Sequence, residues 1–132
     1  MGLSPIRLHR DTPGFVINRL QFALLREAAE LVDSGVVDPE GVDLLVSEGL
    51  GPRWAAAGPF ATVALGGSEL FEQLTHRLYP YLSRDTAPAG PVAKREFSPD
   101  SIADLGRQRT DRLRAVLERA HQGSDRTERS GW

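Results

Sequence analysis

Apolar residues recur at three- to four-residue spacing over most of this chain, the period of helices that bury one face. Val16, Leu20, Leu24 and Leu31 form the first such row, and Phe22, Leu25, Ala29 and Val32 form a second beside it. Two adjacent rows predict one long helix buried on more than one side. Asp11-Thr12-Pro13 supplies its start, with capping side chains and a proline whose missing N–H costs nothing there, and Gly35 its stop. Arg26 and Glu30 stand four residues apart on the remaining face, a pairing worth only about 0.3 kcal/mol. Ahead of this helix, Pro5 to His9 alternates apolar and polar residues and predicts a short strand or an extended lead-in.

Asp38-Pro39 opens a shorter helix with Val42, Leu45 and Val46 facing inward and Gly49 closing it. From Leu50 to Gly67 glycine, alanine and proline dominate. Trp54 to Ala57 and Pro59 to Leu65 read as short helical pieces joined by turns at Gly51-Pro52 and Gly58-Pro59. Trp54 and Phe60, the large side chains of this stretch, read as plugs of the core. After Gly66-Gly67, Ser68 is placed to cap a helix carrying Leu70, Leu74, Leu78 and Leu82, which Pro80 ends or kinks. Asp85 to Pro91 reads as a loop. Ser98-Pro99-Asp100 starts a last helix with Ile102, Leu105, Leu113, Val116, Leu117 and Ala120 on one side and arginines and acids on the other. The segments are a lead-in over 1–12, one helical domain over 13–122 and a fraying polar tail over 123–132. The fold class is all-α.

Composition narrows the chemistry. The 132 residues suit one domain, and 40% hydrophobic with 26% charged residues describes a globular rather than a disordered chain. A net charge of −2 gives no electrostatic case for nucleic acid or an anionic membrane surface as partner. Without cysteine there are no disulfides and no thiolate metal sites. His9, His76 and His121 are not at metal-ligand spacing, so no metal is expected. No apolar run approaches the roughly 20 residues of a spanning helix, and the first ten residues lack a signal-peptide core, so the expected address is the cytoplasm. The opening Met1-Gly2 and the polar end read as a complete product rather than a fragment.

Asp11-Thr12-Pro13-Gly14-Phe15-Val16-Ile17-Asn18-Arg19-Leu20 closely resembles the segment that opens the C-terminal domain of 3-hydroxyacyl-CoA dehydrogenases. Glu27-Ala28, Leu31-Val32, Gly35-Val36-Val37, Val42-Asp43, Gly49-Leu50-Gly51-Pro52-Arg53-Trp54-Ala55 and Gly58-Pro59-Phe60 continue the likeness in order. The spacing of glycine, arginine and tryptophan is most similar to the branch containing lambda-crystallin and gulonate dehydrogenase. The resemblance covers about Pro5 to Leu82, more loosely the last helix. It implies an all-helical bundle of the 6-phosphogluconate dehydrogenase C-terminal type, which forms a homodimer interface and closes against a Rossmann domain that binds NAD. It also implies that Asn18 turns its side-chain amide toward the substrate oxygen, where charge develops during hydride transfer. Arg19, Arg53, Trp54 and Phe60 become candidate contacts to an acyl-thioester or hydroxy-acid ligand. On residue type alone, Asn18 reads first as a partly buried asparagine bonding local backbone, and Arg53 equally as an exposed arginine at a helix start.

Parts of the family pattern are absent. A dinucleotide site needs three glycines at a strand-to-helix turn. The nearest run, Gly49-Leu50-Gly51-Pro52-Arg53-Trp54, has tryptophan in the third place and no strand before it. None of the three histidines falls in the family's catalytic motif. Where many relatives carry an acid after Gly-Pro-Phe, this chain has Ala64. The chain is therefore expected to hold no cofactor itself and to need NAD on a separate Rossmann partner. Two other readings stay open: a homodimerisation or acyl-binding module without chemistry, and a freestanding non-redox enzyme of the dehydratase or cyclase kind. In the last, Asn18 polarises a carbonyl and His9, Glu27 or His76 carries the proton.

Overall fold

The computed structural model describes residues 6–94 and 98–129. Its described residues are helical or irregular with no strand, in the order α1 (Phe15–Asp33), α2 (Pro39–Leu44), a π-helical turn (Leu45–Leu50), α3 (Gly51–Ala56), α4 (Pro59–Gly66), α5 (Ser68–Leu78), a 3-10 turn (Tyr79–Tyr81), α6 (Gly90–Lys94) and α7 (Pro99–Arg129). Ile6 to Leu8 have no regular structure, so the lead-in is not a strand there; Pro5 lies outside the described residues. No helix among the described residues is long and apolar enough to cross a membrane. The chain divides into two compact units, Met1–Arg95 and Glu96–Trp132.

In the first unit, α1 ends as its sequence predicts. Gly35 takes the left-handed conformation (φ 75°), and its N–H donates to the Val32 carbonyl while that of Val36 donates to Leu31. Its start differs from expectation. Residues 12–15 make a turn closed by Phe15 N–H on the Thr12 carbonyl, Gly14 stands at the cap with φ 77°, and no side chain caps the helix. Glycine there replaces the capping geometry that Asp11-Thr12-Pro13 offers, because the chain must reverse just before α1. Asp38 does cap α2, its Oδ1 accepting the Gly41 N–H at 2.6 Å, with Pro39 in the first turn.

Gly49 does not close that helix, and Gly51-Pro52 is not a turn. The backbone widens into the π-helical turn, Gly51 N–H bonds the Val46 carbonyl, and α3 follows without a break. Pro52 stands in the first turn of α3, directly after the widened backbone. The break expected at Gly58-Pro59 is present, with extended backbone at Ala57 and Gly58. Ser68 is the first residue of α5 rather than its cap, which is Gly67 with φ 94°. Pro80 ends α5 as expected, so Leu82, in extended backbone, falls outside the helix.

A strap from Leu82 to Lys94 recrosses α1, and the periodicity had shown only a loop there. The Ser83 N–H donates to Glu27 Oε2 at 2.7 Å, and Lys94 Nζ lies 3.2 Å from Asp33 Oδ1. Between these ties Gly90 rests so closely on α1 that a Cβ on it would stand 2.8 Å from the Ala29 carbonyl oxygen. Ala29, Ser83, Gly90 and Pro91 are the buried residues among those described in this unit. Glu27→Ala leaves the amide of buried Ser83 without its acceptor, a loss of about 1–3 kcal/mol readable in urea unfolding. Glu27→Gln keeps an acceptor oxygen and should recover most of it.

The expectation that α1 is buried on more than one side is not met within the unit. Phe15, Ile17, Leu20 and Phe22 are all more than half exposed, although α1 meets α2, α6 and, through Glu27, the strap at Ser83. Arg26 and Glu30 are not among the ion pairs of the described residues; Asp33 pairs with Lys94 instead.

The second unit is α7, started by Pro99 and Asp100 as predicted. Ile102, Leu105, Leu113 and Val116 are exposed along it, and Asp104 pairs with Arg107 one turn on. The side chains of Leu117, Ala120 and His121 lie outside the described ones. Its backbone stays helical through Arg129, into the segment whose polar composition predicts fraying; residues 130–132 lie outside the described chain.

Candidate functional site

The reverse turn at Gly14 sets up the N-terminal end of α1. A Cβ on Gly14 would make ordinary contact, at 3.7 Å, with both Asn18 Cβ and Arg19 Cγ, so the turn lies alongside these two residues. Asn18 therefore sits in the opening turns of a 19-residue helix, where the backbone dipole favours negative charge. Its side chain is exposed and makes no hydrogen bond among the described residues. The alternative reading, a partly buried asparagine satisfied by local backbone, does not describe this geometry.

Arg19 borders a cavity of about 510 Å³ between α1 and the strap. Arg26 joins it from two turns further along α1, with Phe22 and Ala29 on the helix side and Asp85 and Val92 on the strap side. Asn18 is not part of this lining. Arg26 was legible only as a surface residue spaced to meet Glu30, and Asp85 only as part of a loop. No local signal marks either, since the far wall comes from some sixty residues downstream.

Arg53, Trp54 and Phe60 stand elsewhere, on α3 and α4, which pack mainly on the π-helical turn and on α5 respectively. The reading of Trp54 and Phe60 as core plugs is corrected: Trp54 is 43% and Phe60 89% exposed. These helices are too short, and meet too few neighbours in this unit, to enclose a large ring. Arg53 is likewise exposed.

His9 and His76 are exposed and not in the cavity lining, and the Glu27 carboxylate is engaged by the strap amide. None of His9, Glu27 and His76 lines this cavity, and neither does Asn18. No group of three or more histidines or carboxylates among the described residues is placed to hold a metal. The glycine run at 49–51 does not fit NAD. Its backbone is helical, the Gly51 N–H is spent on Val46, and a pyrophosphate cradle requires free amides at a strand-to-helix turn.

Comparison with known proteins adds a lineage to this geometry. The family described as 3-hydroxyacyl-CoA dehydrogenase, C-terminal domain, matches residues 14–107. The 5-formyl-3-hydroxy-2-methylpyridine 4-carboxylate 5-dehydrogenase of Mesorhizobium japonicum is 43% identical over 90 residues, covering 67% of this chain and 29% of that protein. The lambda-crystallin homolog of Bos taurus is 51% identical over 98 residues, 74% of this chain and 30% of that one. A crystal structure of a 5-formyl-3-hydroxy-2-methylpyridine 4-carboxylic acid 5-dehydrogenase, described as an NAD+ dependent dismutase, superposes with a TM-score of 0.76 at 34% identity. The match covers 88% of this chain and 42% of that one. The chain thus spans less than a third of the length of these two curated relatives.

Proposed function

Since this chain belongs to the 3-hydroxyacyl-CoA dehydrogenase family, as its C-terminal domain, we propose that it is the substrate-side and dimerisation half of an NAD-dependent oxidoreductase. The substrates are 3-hydroxyacyl thioesters or related hydroxy acids, the setting is the cytoplasm, and hydride transfer requires a Rossmann-domain protein that carries NAD. The observation that carries this reading is Asn18: an exposed amide, uncommitted among the described residues, in the opening turns of α1. Its N–H donates to the substrate oxygen, and the helix N-terminus lowers the cost of negative charge there. Arg19, Arg53, Trp54 and Phe60 are proposed as contacts to the rest of the substrate; all four are exposed and available to a ligand or a covering partner.

The test is reconstitution. Mixing the chain with a separately expressed Rossmann-domain partner should give NADH-linked turnover of a 3-hydroxyacyl thioester that neither protein shows alone. Failure of every Rossmann protein encoded with it to bind or to turn over would end this reading.

The dimerisation part rests on the uncovered apolar side chains of α1 and α5 outside the cavity, among them Ile17, Leu20, Leu70 and Leu78. So much exposed apolar surface is unfavourable in water, and a second copy covers it symmetrically. Light scattering at micromolar concentration should report twice the chain mass; a monomer would remove this part of the proposal.

A further inference from the structure

The cavity between α1 and the strap has the features of a ligand site that Asn18 does not explain. Its far wall is tied in place at three points: Ser83 to Glu27, Gly90 against Ala29, and Lys94 to Asp33. The space is therefore built into the fold. Its volume of about 510 Å³ lies within the usual range for small-molecule pockets.

The charges are uneven. Arg19 and Arg26 contribute two guanidinium groups and Asp85 one carboxylate, and none of the three belongs to an ion pair among the described residues. One positive charge is left over. The two arginines are seven residues apart on one face, about 10 Å along the axis, so their long side chains can converge on one headgroup. Beside them Phe22, Leu25, Pro88 and Val92 offer an apolar wall, and Thr86 a hydroxyl.

We propose that this cavity binds a small organic monocarboxylate, its headgroup held by Arg19 and Arg26 and its apolar body laid against Phe22, Ala29 and Val92. The forked guanidinium matches a carboxylate through paired hydrogen bonds, and a monoanion balances the surplus charge. The ligand is amphipathic because the wall is: a fully polar anion would leave Phe22 and Val92 in contact with water. The proposal does not depend on the role given to Asn18, and its test needs no Rossmann partner.

The experiment is a titration of the isolated chain with hexanoate, followed by NMR. Saturable shifts are expected at Ala23, Ala29, Ala89 and Val92, and hexan-1-ol, which lacks the charge, should bind about a hundredfold more weakly. Arg19→Gln and Arg26→Gln should each weaken hexanoate about tenfold, the loss of one charge-assisted interaction. Ala23→Leu keeps both arginines and places a larger side chain in the cavity; it should abolish hexanoate binding while the helical circular dichroism is unchanged. Equal affinity for hexanoate and hexan-1-ol, undiminished binding in the double arginine variant or in Ala23→Leu, or shifts confined to other residues would each overturn the site. So would the absence of binding, as when a second copy already fills the cavity. A chain that binds hexanoate but activates no Rossmann partner would refute the oxidoreductase reading and leave this one standing.

Discussion

Replacing Asn18 with alanine is expected to lower kcat/KM of the reconstituted pair about a hundred- to a thousandfold while leaving the fold as stable as before. The first half follows from the magnitude of a donor aimed at developing negative charge in a site closed to water, about 3–4 kcal/mol. The second half follows from the surroundings. The side chain is exposed and bonds nothing among the described residues, and alanine is the better helix former by a few tenths of a kcal/mol. Activity and stability should therefore separate, which a structural asparagine would not permit. Steady-state kinetics of the mixture, with thermal unfolding of the variant chain alone, decides the matter. Unchanged turnover would mean that the substrate oxygen is held by something else.

Gly90→Ala should be among the most damaging single methyl groups that can be added to this chain, at about 3 kcal/mol and about 10 °C in Tm. Two costs combine. The backbone at Gly90 has φ 54°, a region that an L side chain enters at about 1 kcal/mol or more, and the new Cβ would lie 2.8 Å from the Ala29 carbonyl oxygen. That oxygen belongs to the C-terminal third of α1, still inside the helix, and cannot yield without moving the helix, which adds about 1–3 kcal/mol of overpacking. Gly35 supplies the control. It has φ 75° but nothing within 4 Å of its would-be Cβ, so Gly35→Ala should cost only the backbone part, about 1 kcal/mol. Equal losses at the two positions would show that the strap does not rest on α1 as described.

Helices α1, α2, α4, α5 and α7 were legible from the chain because their causes are local. A side chain three or four residues away sets the apolar stripe, Asp38 caps a turn three residues on, and Gly35 frees the backbone to reverse. The π-helical turn was not legible. Glycines at 49 and 51 and a proline at 52 read as punctuation, yet here they let the backbone widen and continue. Asn18 was found through a motif in register with a family, and the structure adds that its amide is exposed and uncommitted among the described residues. Trp54 and Phe60 were misjudged because hydrophobicity predicts a wish to be buried, not the presence of something to bury against.

The chain alone determined an all-helical fold and its family, since each depends on residues close together or on an ordered run of motifs. Tertiary structure decided where Arg19 and Arg26 face a common space, how Glu27 tethers the strap, and how much apolar surface is left over. Those outcomes rest on contacts such as Glu27 with Ser83 and Ala29 with Gly90, separated by more than fifty residues. Helical periodicity carries information over only a turn or two, so it cannot report which distant segment closes over a face, or whether any does.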